Sequence, residues 1–396
     1  MKKINYPLAS STWGNEELQA IQEVVDSRRF TMGEMVQKFE GEFAKQVKSK
    51  FAVMVNSGSS ANLALLTASK YLKKPVLRPG DEVIVPAVSW STTFYPIEQI
   101  GCTLSFVDVD LKTLNIDPEK IIEAITPKTK AIFVVNLLGN SANWLELKKI
   151  AQEYGLVLLE DNCESLGGTF EGKSLGTFGL GGTFSTFFSH HISTMEGGLI
   201  ATDDEEMYQV LKSVRAHGWT RDLPEVNHVF NKTGDPWDDL FRFVLPGYNL
   251  RPLEIEGAIG LQQLVKLPEL IVNRRKNAVL FQEIMKEFPD MLIQRQSGES
   301  SWFGFSIILR GRLRGKRKLL IRSLEAFGVE SRPVVTGNFA RNPVIKHLRH
   351  LPIPSLSSAD EIHDQALFIG NHHFDLSEEM IYLQKALQNF MLEAKV

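Results

Sequence analysis

The chain has 396 residues, of which 43% are hydrophobic and 23% charged, and its 44 Lys and Arg residues oppose 47 Asp and Glu residues for a formal net charge of −3. The apolar share is enough for a large folded core and excludes general disorder, while the scattered basic residues argue against non-specific binding to nucleic acid or to anionic membranes. Two cysteines, Cys102 and Cys163, are too few for a disulfide framework, a four-thiolate zinc site or a cysteine-ligated iron–sulfur cluster.

The first seven residues, Met-Lys-Lys-Ile-Asn-Tyr-Pro, are basic but lead into no apolar run of the kind found in secretory signals. No apolar stretch elsewhere approaches the roughly 20 residues that span a bilayer. We therefore expect a cytoplasmic protein that does not enter a membrane.

Short apolar runs rich in β-branched residues are predicted to be strands. Helix-like stretches separate most of them, and each run is nearly continuous in apolar character, which is typical of a parallel sheet covered on both faces. The first five predicted strands are residues 51–55, 82–85, 104–107, 131–135 and 156–159, and residues 182–188 and 198–202 are predicted as a hairpin or as adjoining strands. Seven strands indicate a large α/β domain with a mainly parallel sheet, which we assign to residues 1–252.

The pattern changes to helical periodicity from Leu253 onward. Pro268 is expected to break this helix, with a second helical stretch reaching about Phe288. The remaining third combines a predicted strand at residues 302–309, a basic amphipathic stretch at 314–327 and a final helix from Ser377. We interpret residues 253–396 as a smaller C-terminal α+β domain.

Residues 56–62, Asn-Ser-Gly-Ser-Ser-Ala-Asn, lead from the first predicted strand into a helical run at 61–72. A turn of small residues leaves backbone N–H groups free at the positive end of the helix dipole, where a phosphate can bind. The same pattern also suits an ordinary strand-to-helix turn with a serine cap. The residues alone leave both interpretations open.

Two carboxylates, Glu160 and Asp161, follow the predicted strand at 156–159. Ligands of open α/β sheets bind at the carboxyl ends of the strands, so Asp161 is well placed to hold a cation or a protonated ring nitrogen. An acidic helix cap is the alternative.

Residues 183–198 combine a predicted strand with several hydroxyls, the adjacent His190 and His191, and a pair of glycines. Adjacent residues on a strand point to opposite sides, so the two imidazoles are not expected to share a metal ion. A single histidine of this kind is more often structural than catalytic, and the pattern alone does not choose between the two roles.

Taken in this order, the three segments resemble the DegT/DnrJ/EryC1/StrS family, the sugar aminotransferase group of fold-type I pyridoxal-phosphate enzymes. The resemblance extends over nearly the whole chain and includes residues 30–33 (Phe-Thr-Met-Gly), 86–90 (Pro-Ala-Val-Ser-Trp) and 247–252 (Gly-Tyr-Asn-Leu-Arg-Pro). It implies the fold of a fold-type I PLP-dependent transferase and a homodimer with shared active sites.

The resemblance also implies roles for individual residues. Asp161 would pair with the pyridinium nitrogen and keep the cofactor ring an electron sink. Trp90 would stack on that ring, and Asn249 would reach the cofactor phosphate in the neighbouring subunit. The full set implied to bind the cofactor is Gly58, Ser59, Trp90, Asp161, Glu164, Ser185 and Asn249.

His190 is the departure from the family pattern. The family's aminotransferases have a lysine five positions after the equivalent of Ser185, and that lysine links covalently to the cofactor. Imidazole cannot form this link, so the cofactor would be held non-covalently while His190 moves protons near neutral pH. The histidine makes the chain similar to the family's 3-dehydratases of nucleotide-linked 4-keto-6-deoxyhexoses.

There are two kinds of such dehydratase, and the expected substrate of this chain depends on which kind it resembles. One acts on a CDP-sugar with an iron–sulfur cluster, and the other acts on a GDP-sugar without a cluster. Because Cys102 and Cys163 cannot supply a cluster, the resemblance favours the GDP-sugar kind, which belongs to colitose biosynthesis. Substrate contacts implied by similarity are His217, Arg221 and Arg251, although residues 215–221 also suit a solvated basic loop.

The expected function is dehydration at C3 of a nucleotide-linked 4-keto-6-deoxyhexose, specifically GDP-4-keto-6-deoxymannose. It would use pyridoxal and pyridoxamine 5'-phosphate, draw its amine from L-glutamate, and need no metal. The alternatives are a nucleotide-sugar 4-aminotransferase and a catalytically silent family member that binds a sugar nucleotide.

Overall fold

The computed structural model describes residues 4–395, so residues 1–3 of the basic N-terminal segment and Val396 lie outside it. Its α-helices are α1 (Asn15–Ser27), α2 (Glu34–Val47), α3 (Gly58–Ala68), α4 (Ser91–Gln99), α5 (Pro118–Ala124), α6 (Trp144–Tyr154), α7 (Glu205–Arg215), α8 (Pro236–Leu240), α9 (Glu254–Met285), α10 (Arg317–Ala326), α11 (Ser357–Gln365) and α12 (Ser377–Glu393). Its strands are β1 (Phe51–Val55), β2 (Glu82–Pro86), β3 (Thr103–Val107), β4 (Thr129–Val135), β5 (Val157–Asp161), β6 (Thr169–Phe170), β7 (Lys173–Ser174), β8 (Gly182–Ser185), β9 (Gly198–Thr202), β10 (Met291–Ile293), β11 (Gly304–Leu309) and β12 (Ala366–Gly370).

The seven predicted strands form one sheet in the order β1-β9-β8-β5-β4-β2-β3. Strands β3, β2, β4, β5 and β8 are parallel neighbours, while β9 runs antiparallel to both β8 and β1. The predicted mainly parallel seven-stranded sheet is therefore confirmed. Because β9 alone is reversed in this sheet, the loops after β1, β2, β5 and β8 all emerge at the same edge, where open α/β sheets bind ligands.

The sheet is buried because helices cover both of its faces. Helix α3 starts where Ser57 accepts a hydrogen bond from the Ser60 N–H (3.1 Å), and its Leu65 lies in the same apolar cluster as Val53 and Val83 of the strands. On the other face, Leu147 of α6 packs in a cluster with Ile132 of β4. This double covering explains why the strands are apolar along their whole length rather than alternating.

The C-terminal third contains a three-stranded antiparallel sheet, β10-β11-β12, with α10 and α12 packed together. Tyr6, near the other end of the chain, is buried in this part and donates a hydrogen bond from its hydroxyl to the Gly370 carbonyl (2.7 Å). Helix α9 packs against α1, α2 and α12. The predicted domain boundary between residues 252 and 253 therefore stays a prediction, because helix α9 contacts elements on both sides of that boundary.

The expectation that Pro268 ends a helix is wrong. Helix α9 runs without interruption from Glu254 to Met285, with Pro268 inside it. A proline removes one backbone hydrogen bond and crowds the preceding turn, at a cost of about 3 kcal/mol. The cost is offset here because the turns on either side are buried, including Leu264, Leu267 and Ile271 in a shared apolar cluster.

No helix within residues 4–395 combines the length and the apolar character needed to cross a membrane.

Candidate active site

A cavity of about 310 Å³ lies at the edge of the sheet where β1, β2, β5 and β8 end. Its walls combine the loops after these strands with residues from the C-terminal third of the chain. The structure brings seven of the predicted site residues together in it: Gly58, Ser59, Trp90, Asp161, Glu164, Ser185 and His190.

The N-terminus of α3 opens into this cavity at Gly58. The first N–H groups of a helix have no partner within it and carry the positive end of the helix dipole, so this end suits a phosphate or another anion. A Cβ added at Gly58 would lie 2.7 Å from the Ser185 Cβ and 2.9 Å from the Cys163 Sγ. Glycine is therefore required for α3 to approach the end of β8 this closely.

Asp161 is held in the cavity by three donors. Its Oδ2 accepts hydrogen bonds from the Asn62 amide (2.9 Å) and the Thr93 hydroxyl (2.7 Å), and its Oδ1 accepts one from the Cys163 N–H (3.1 Å). These contacts fix the orientation of a buried carboxylate that also lines the cavity. A ligand cation or a protonated ring nitrogen is the natural partner for a carboxylate in this position.

Glu160 has a different role, because successive side chains of a strand point to opposite faces of the sheet. Its carboxylate is fully buried away from the cavity and accepts hydrogen bonds from the N–H groups of Gly176 (2.7 Å) and Gly179 (2.8 Å). Of the two carboxylates singled out in the sequence, Asp161 faces the cavity and Glu160 stabilises a loop.

Glu164 and Arg332 face each other across the cavity wall. Burial raises the pKa of Glu164 to about 6, although the nearby Arg332 acts in the opposite direction. One carboxylate oxygen lies 4.0 Å from an Arg332 Nη, and the other accepts a hydrogen bond from the Leu138 N–H (3.2 Å). Near neutral pH this carboxyl group can therefore exchange a proton, while Arg332 contributes a positive charge to the cavity.

His190 lines the cavity, whereas His191 does not. The His190 ring packs edge-on to Phe187 (centroids 5.9 Å apart) and against Phe303 (5.1 Å), and its Nδ1 is buried without a hydrogen-bond partner. Desolvation, then the charges of Arg332 and Arg274, lower the pKa of His190 to about 3. The imidazole is thus neutral near pH 7 and able to accept a proton.

His191 is buried, 1% exposed, and neither of its ring nitrogens has a partner. Burial, followed by the charge of Arg274, lowers its pKa well below the usual value. In the sequence only the spacing from Ser185 favours His190 over His191, and the geometry places His190 at the cavity, where it can meet a ligand.

Four predicted residues lie elsewhere, in a cluster around Trp219. The Arg221 guanidinium stacks 3.7 Å above the Trp219 ring, and that of Arg251 lies 5.6 Å from it. The His217 ring is 5.2 Å from the same indole, and the Arg251 Nε donates a hydrogen bond to the Asn249 Oδ1 (3.0 Å). None of these side chains lines the cavity of its own chain.

Several residues that line the cavity or support its side chains were not predicted. Asn62 and Thr93, which hold Asp161, stand in the helices after β1 and β2, so the shared edge of those strands could have identified them. Arg332 and Phe303 come from the C-terminal third, and no local pattern connects them with residues 56–190.

The described residues, 4–395, contain no group of three or more His, Cys, Asp or Glu side chains that could hold a metal ion. Cys102 is buried and donates its thiol hydrogen to the Arg78 carbonyl (3.3 Å), and Cys163 lines the cavity.

Comparison with known proteins places the whole chain in one group. The model of the DegT/DnrJ/EryC1/StrS aminotransferase family matches residues 11–387. The GDP-4-keto-6-deoxy-D-mannose 3-dehydratase of Escherichia coli O55:H7 is 54% identical over 387 residues, which cover 97% of this chain and 100% of the relative.

Two crystal structures of GDP-4-keto-6-deoxymannose-3-dehydratase superpose with a TM-score of 0.94 at 53% identity, and each match covers 96% of this chain and 100% of the other. One is a variant with a histidine replaced by asparagine and with bound GDP-perosamine. The other contains a trapped geminal diamine of PLP and glutamate.

Proposed function

The chain belongs to the DegT/DnrJ/EryC1/StrS aminotransferase family, and from this premise we propose that it is a pyridoxal-phosphate-dependent lyase that removes the C3 hydroxyl of GDP-4-keto-6-deoxy-D-mannose. The single observation that carries the proposal is that the cavity contains a neutral histidine, His190, where the family's aminotransferases have their cofactor-linking lysine. Identity of 54% over 97% of the chain supports the GDP-linked substrate.

The cavity fits pyridoxal phosphate held without a covalent link. The α3 N-terminus at Gly58 and Ser59, with Ser185 beside it, suits the phosphate group. Trp90 is half exposed at the start of α4 and offers an aromatic face, and Asp161 offers a carboxylate to the ring nitrogen. When bound, the cofactor supplies the carbon that exchanges nitrogen with glutamate and the ring that takes up an electron pair.

Proton transfer and charge stabilisation are assigned to the protein's own side chains. His190 accepts a proton at Nε2, since Nδ1 is enclosed by protein, and returns it as the C3 hydroxyl leaves as water. The carboxylate of Asp161, which is fixed by its hydrogen bonds, would stabilise a positive charge on the ring nitrogen of the cofactor. Anionic ligands in the cavity would raise the pKa of His190 from its low value, because negative charge favours the imidazolium form.

The overall reaction balances without a metal or an iron–sulfur cluster. Glutamate is oxidised to 2-oxoglutarate and ammonia, and carbon C3 of the sugar is reduced as its hydroxyl is replaced by hydrogen. One water is released and one is consumed. The electrons lost by glutamate equal those gained by the sugar, so no further reductant is required.

We further propose that the enzyme is a homodimer in which each cavity is completed by the partner subunit. The support is the position of the Trp219 cluster, which gathers Arg221, Arg251, His217 and Asn249 at the surface, away from the cavity of their own chain. Cationic groups of this kind suit the phosphates of a sugar nucleotide and of the cofactor.

The deciding experiment incubates the protein with pyridoxal phosphate, L-glutamate and GDP-4-keto-6-deoxy-D-mannose and follows ammonia, 2-oxoglutarate and product mass. We expect ammonia and 2-oxoglutarate in equal amounts and a 3-deoxy product, and a lower rate with the CDP-linked analogue. An amino sugar formed without ammonia would identify an aminotransferase instead. Binding of the GDP-sugar without any reaction would identify a silent family member.

A further inference from the structure

A second, smaller cavity adjoins the active-site cavity. Its volume is about 150 Å³, and Ser189, Phe303 and Arg332 line both spaces. Its other walls come from residues 8–10, from Arg274 of α9 and from residues 368, 371 and 372 around β12. We call this space the side chamber.

Arg274 is a buried cation that has no acidic partner in the described part of the chain. It is 4% exposed, and its Nη1 donates hydrogen bonds only to neutral carbonyl groups, those of Phe303 (3.1 Å) and Asn371 (2.8 Å). Its Nε is buried and has no partner among the described residues. Burial lowers the pKa of Arg274 to about 10, so the guanidinium remains charged near pH 7. A buried charge is costly unless an opposite charge compensates it.

The charges of the two spaces differ. Asp161, Glu164 and Glu196 line the main cavity, whereas within residues 4–395 no carboxylate lines the side chamber, which has Arg274 and Arg332. His372 adds no charge there near pH 7, because burial lowers its pKa to about 4; its Nε2 lies 2.9 Å from the Pro7 carbonyl and its Nδ1 lies 2.8 Å from the Ser10 hydroxyl. The side chamber is therefore a positive compartment that shares part of its wall with the main cavity.

We propose that the side chamber binds one carboxylate of the dicarboxylic amino acid that donates nitrogen, with Arg274 as its buried counter-charge. This inference rests on the proposed function and deepens it by assigning residues to the selection of the amino donor. Guanidinium groups match a planar carboxylate through paired hydrogen bonds. A chamber of about 150 Å³ has room for a carboxylate on a short chain, whereas the diphosphate of a sugar nucleotide carries bulky groups on both ends.

The test measures binding of glutarate, a dicarboxylate that lacks the reactive amine, to the protein loaded with pyridoxal phosphate. Calorimetric titrations would compare glutarate with butyrate and inorganic phosphate, for the native protein and for Arg274→Gln. The matched control is Arg275→Gln, since Arg275 is the next residue of α9 and also donates to carbonyl groups, those of Ser300 and Gly167, outside the chamber. The KM for glutamate and the KM for the GDP-sugar are measured in parallel.

We expect Arg274→Gln to weaken glutarate binding and raise the KM for glutamate by about tenfold or more, with the KM for the GDP-sugar unchanged, and Arg275→Gln to change neither. Native affinity for glutarate in Arg274→Gln, an equal loss in Arg275→Gln, or butyrate or phosphate binding as tightly as glutarate would overturn the proposal.

If Arg274→Gln does not fold, Ala9→Leu decides the question, because it fills the chamber and leaves both arginines in place. Weaker glutarate binding in Ala9→Leu is expected, and unchanged binding would refute the chamber as the site. The two proposals fail separately. Arg274-dependent glutarate binding in a protein that releases no ammonia would contradict only the dehydratase function, while ammonia release with an unaltered KM for glutamate in Arg274→Gln would contradict only the chamber.

Discussion

His190 is oriented by packing rather than by a hydrogen bond. Catalytic histidines are commonly held by an acceptor at the second ring nitrogen, but here Nδ1 has no partner and the ring rests between Phe187 and Phe303. An imidazole stays neutral more readily when no carboxylate accepts a hydrogen bond from its second ring nitrogen. This arrangement suits a group that must begin the reaction as a base.

Replacing His190 with asparagine is expected to lower the rate of ammonia release by about 10²–10⁴-fold, the usual contribution of a general base. Cofactor binding should persist, because the phosphate and ring contacts come from other residues. The measurements are initial rates of ammonia release and the absorption spectrum of the bound cofactor.

The control for this variant is His191→Asn, which alters the neighbouring imidazole that does not line the cavity. Its rate should stay within about tenfold of the native rate. Equal losses in the two variants, or a normal rate in His190→Asn, would contradict the assignment of His190 as the base.

At the scale of single residues, the sequence identified positions whose role can be inferred from the residues next to them in the chain. Asp161 at the end of a strand is of this kind, whereas His190, five residues after Ser185, was selected through the resemblance to the family. Thr93, Arg332 and Phe303 were not identified, because their places in the site depend on contacts with residues that are distant in the chain, and Asn62 stood in residues 56–62 without a role of its own.

Helix α3 shows how one element builds a binding site from its first turn. Ser57 caps the helix by accepting from the Ser60 N–H, and the absence of a side chain at Gly58 lets the helix end pack against Ser185. The cap and the glycine have separate effects, since the first stabilises the helix and the second sets its distance from β8.

Gly58→Ala is expected to weaken binding of pyridoxal phosphate by about tenfold or more, because the new methyl group would overpack against Ser185 and Cys163 and displace the helix end. Quenching of tryptophan fluorescence during titration with the cofactor provides the measurement. Gly41→Ala is the control, because Gly41 lies inside α2 with no atom within 4 Å of an added Cβ. It should leave cofactor affinity unchanged, and a comparable loss there would contradict the explanation.

Helix α9 shows that rules based on local sequence do not always predict where a helix ends. The apolar periodicity from Leu253 onward is confirmed, but the break at Pro268 is not, since tertiary burial on both sides of the proline sustains the helix. The same continuity lets α9 carry Ala258, which packs with α1, and Arg274, which lines the side chamber.

The stability of the whole molecule should fall in acid because several histidines are buried in the neutral form. The pKa is lowered to about 3 for His190 and to about 4 for His372, mainly by burial, and it is also lowered for His191 and His373. Below pH 6.5 the unfolded chain takes up these protons while the folded chain does not. Each histidine therefore removes up to about 1.4 kcal/mol of unfolding free energy per pH unit as the pH falls.

Buried carboxyls with a raised pKa, which include Glu160, Glu164 and Glu256, act in the opposite direction. Burial raises the pKa of Glu164 to about 6 and of Glu256 to about 7, so their contributions are fully present below the ordinary value of 4.5 and are lost as the pH rises through the folded values. The net loss in acid should thus be steepest below pH 4.5. Urea unfolding between pH 7 and pH 3 would measure it, and His372→Asn should reduce the slope. A stability that rises on acidification would contradict this account.

The proposed sharing of sites between subunits predicts complementation between inactive variants. Homodimers of His190→Asn and of Arg251→Ala, dissociated and reassociated as an equal mixture, should regain about a quarter of native activity, because half of the dimers would then contain one intact site of two. Rates of ammonia release before and after mixing provide the measurement.

The control mixture combines His190→Asn with Asp161→Asn, two changes in the same cavity. Every site formed in that mixture contains one defect, so no activity should return. Activity that stays absent in the first mixture, or that returns equally in both, would show that each chain forms its site alone.

The sequence by itself determined the seven strands, their mainly parallel arrangement and the carboxyl edge at which the ligand groups gather. These features depend on apolar runs and on spacing within short segments, which local backbone geometry converts directly into structure. The histidine in place of a lysine was identified through the resemblance to the family.

Only the tertiary structure decided which of two adjacent histidines meets the cavity, that α9 continues through Pro268, and that Arg332, Phe303 and Arg274 join residues 58–190. The physical reason is that these outcomes depend on which distant surfaces become buried against each other. Burial offsets the cost of a proline inside a helix, keeps an imidazole neutral and makes an arginine require a counter-anion. Short segments of sequence do not determine which residues become buried.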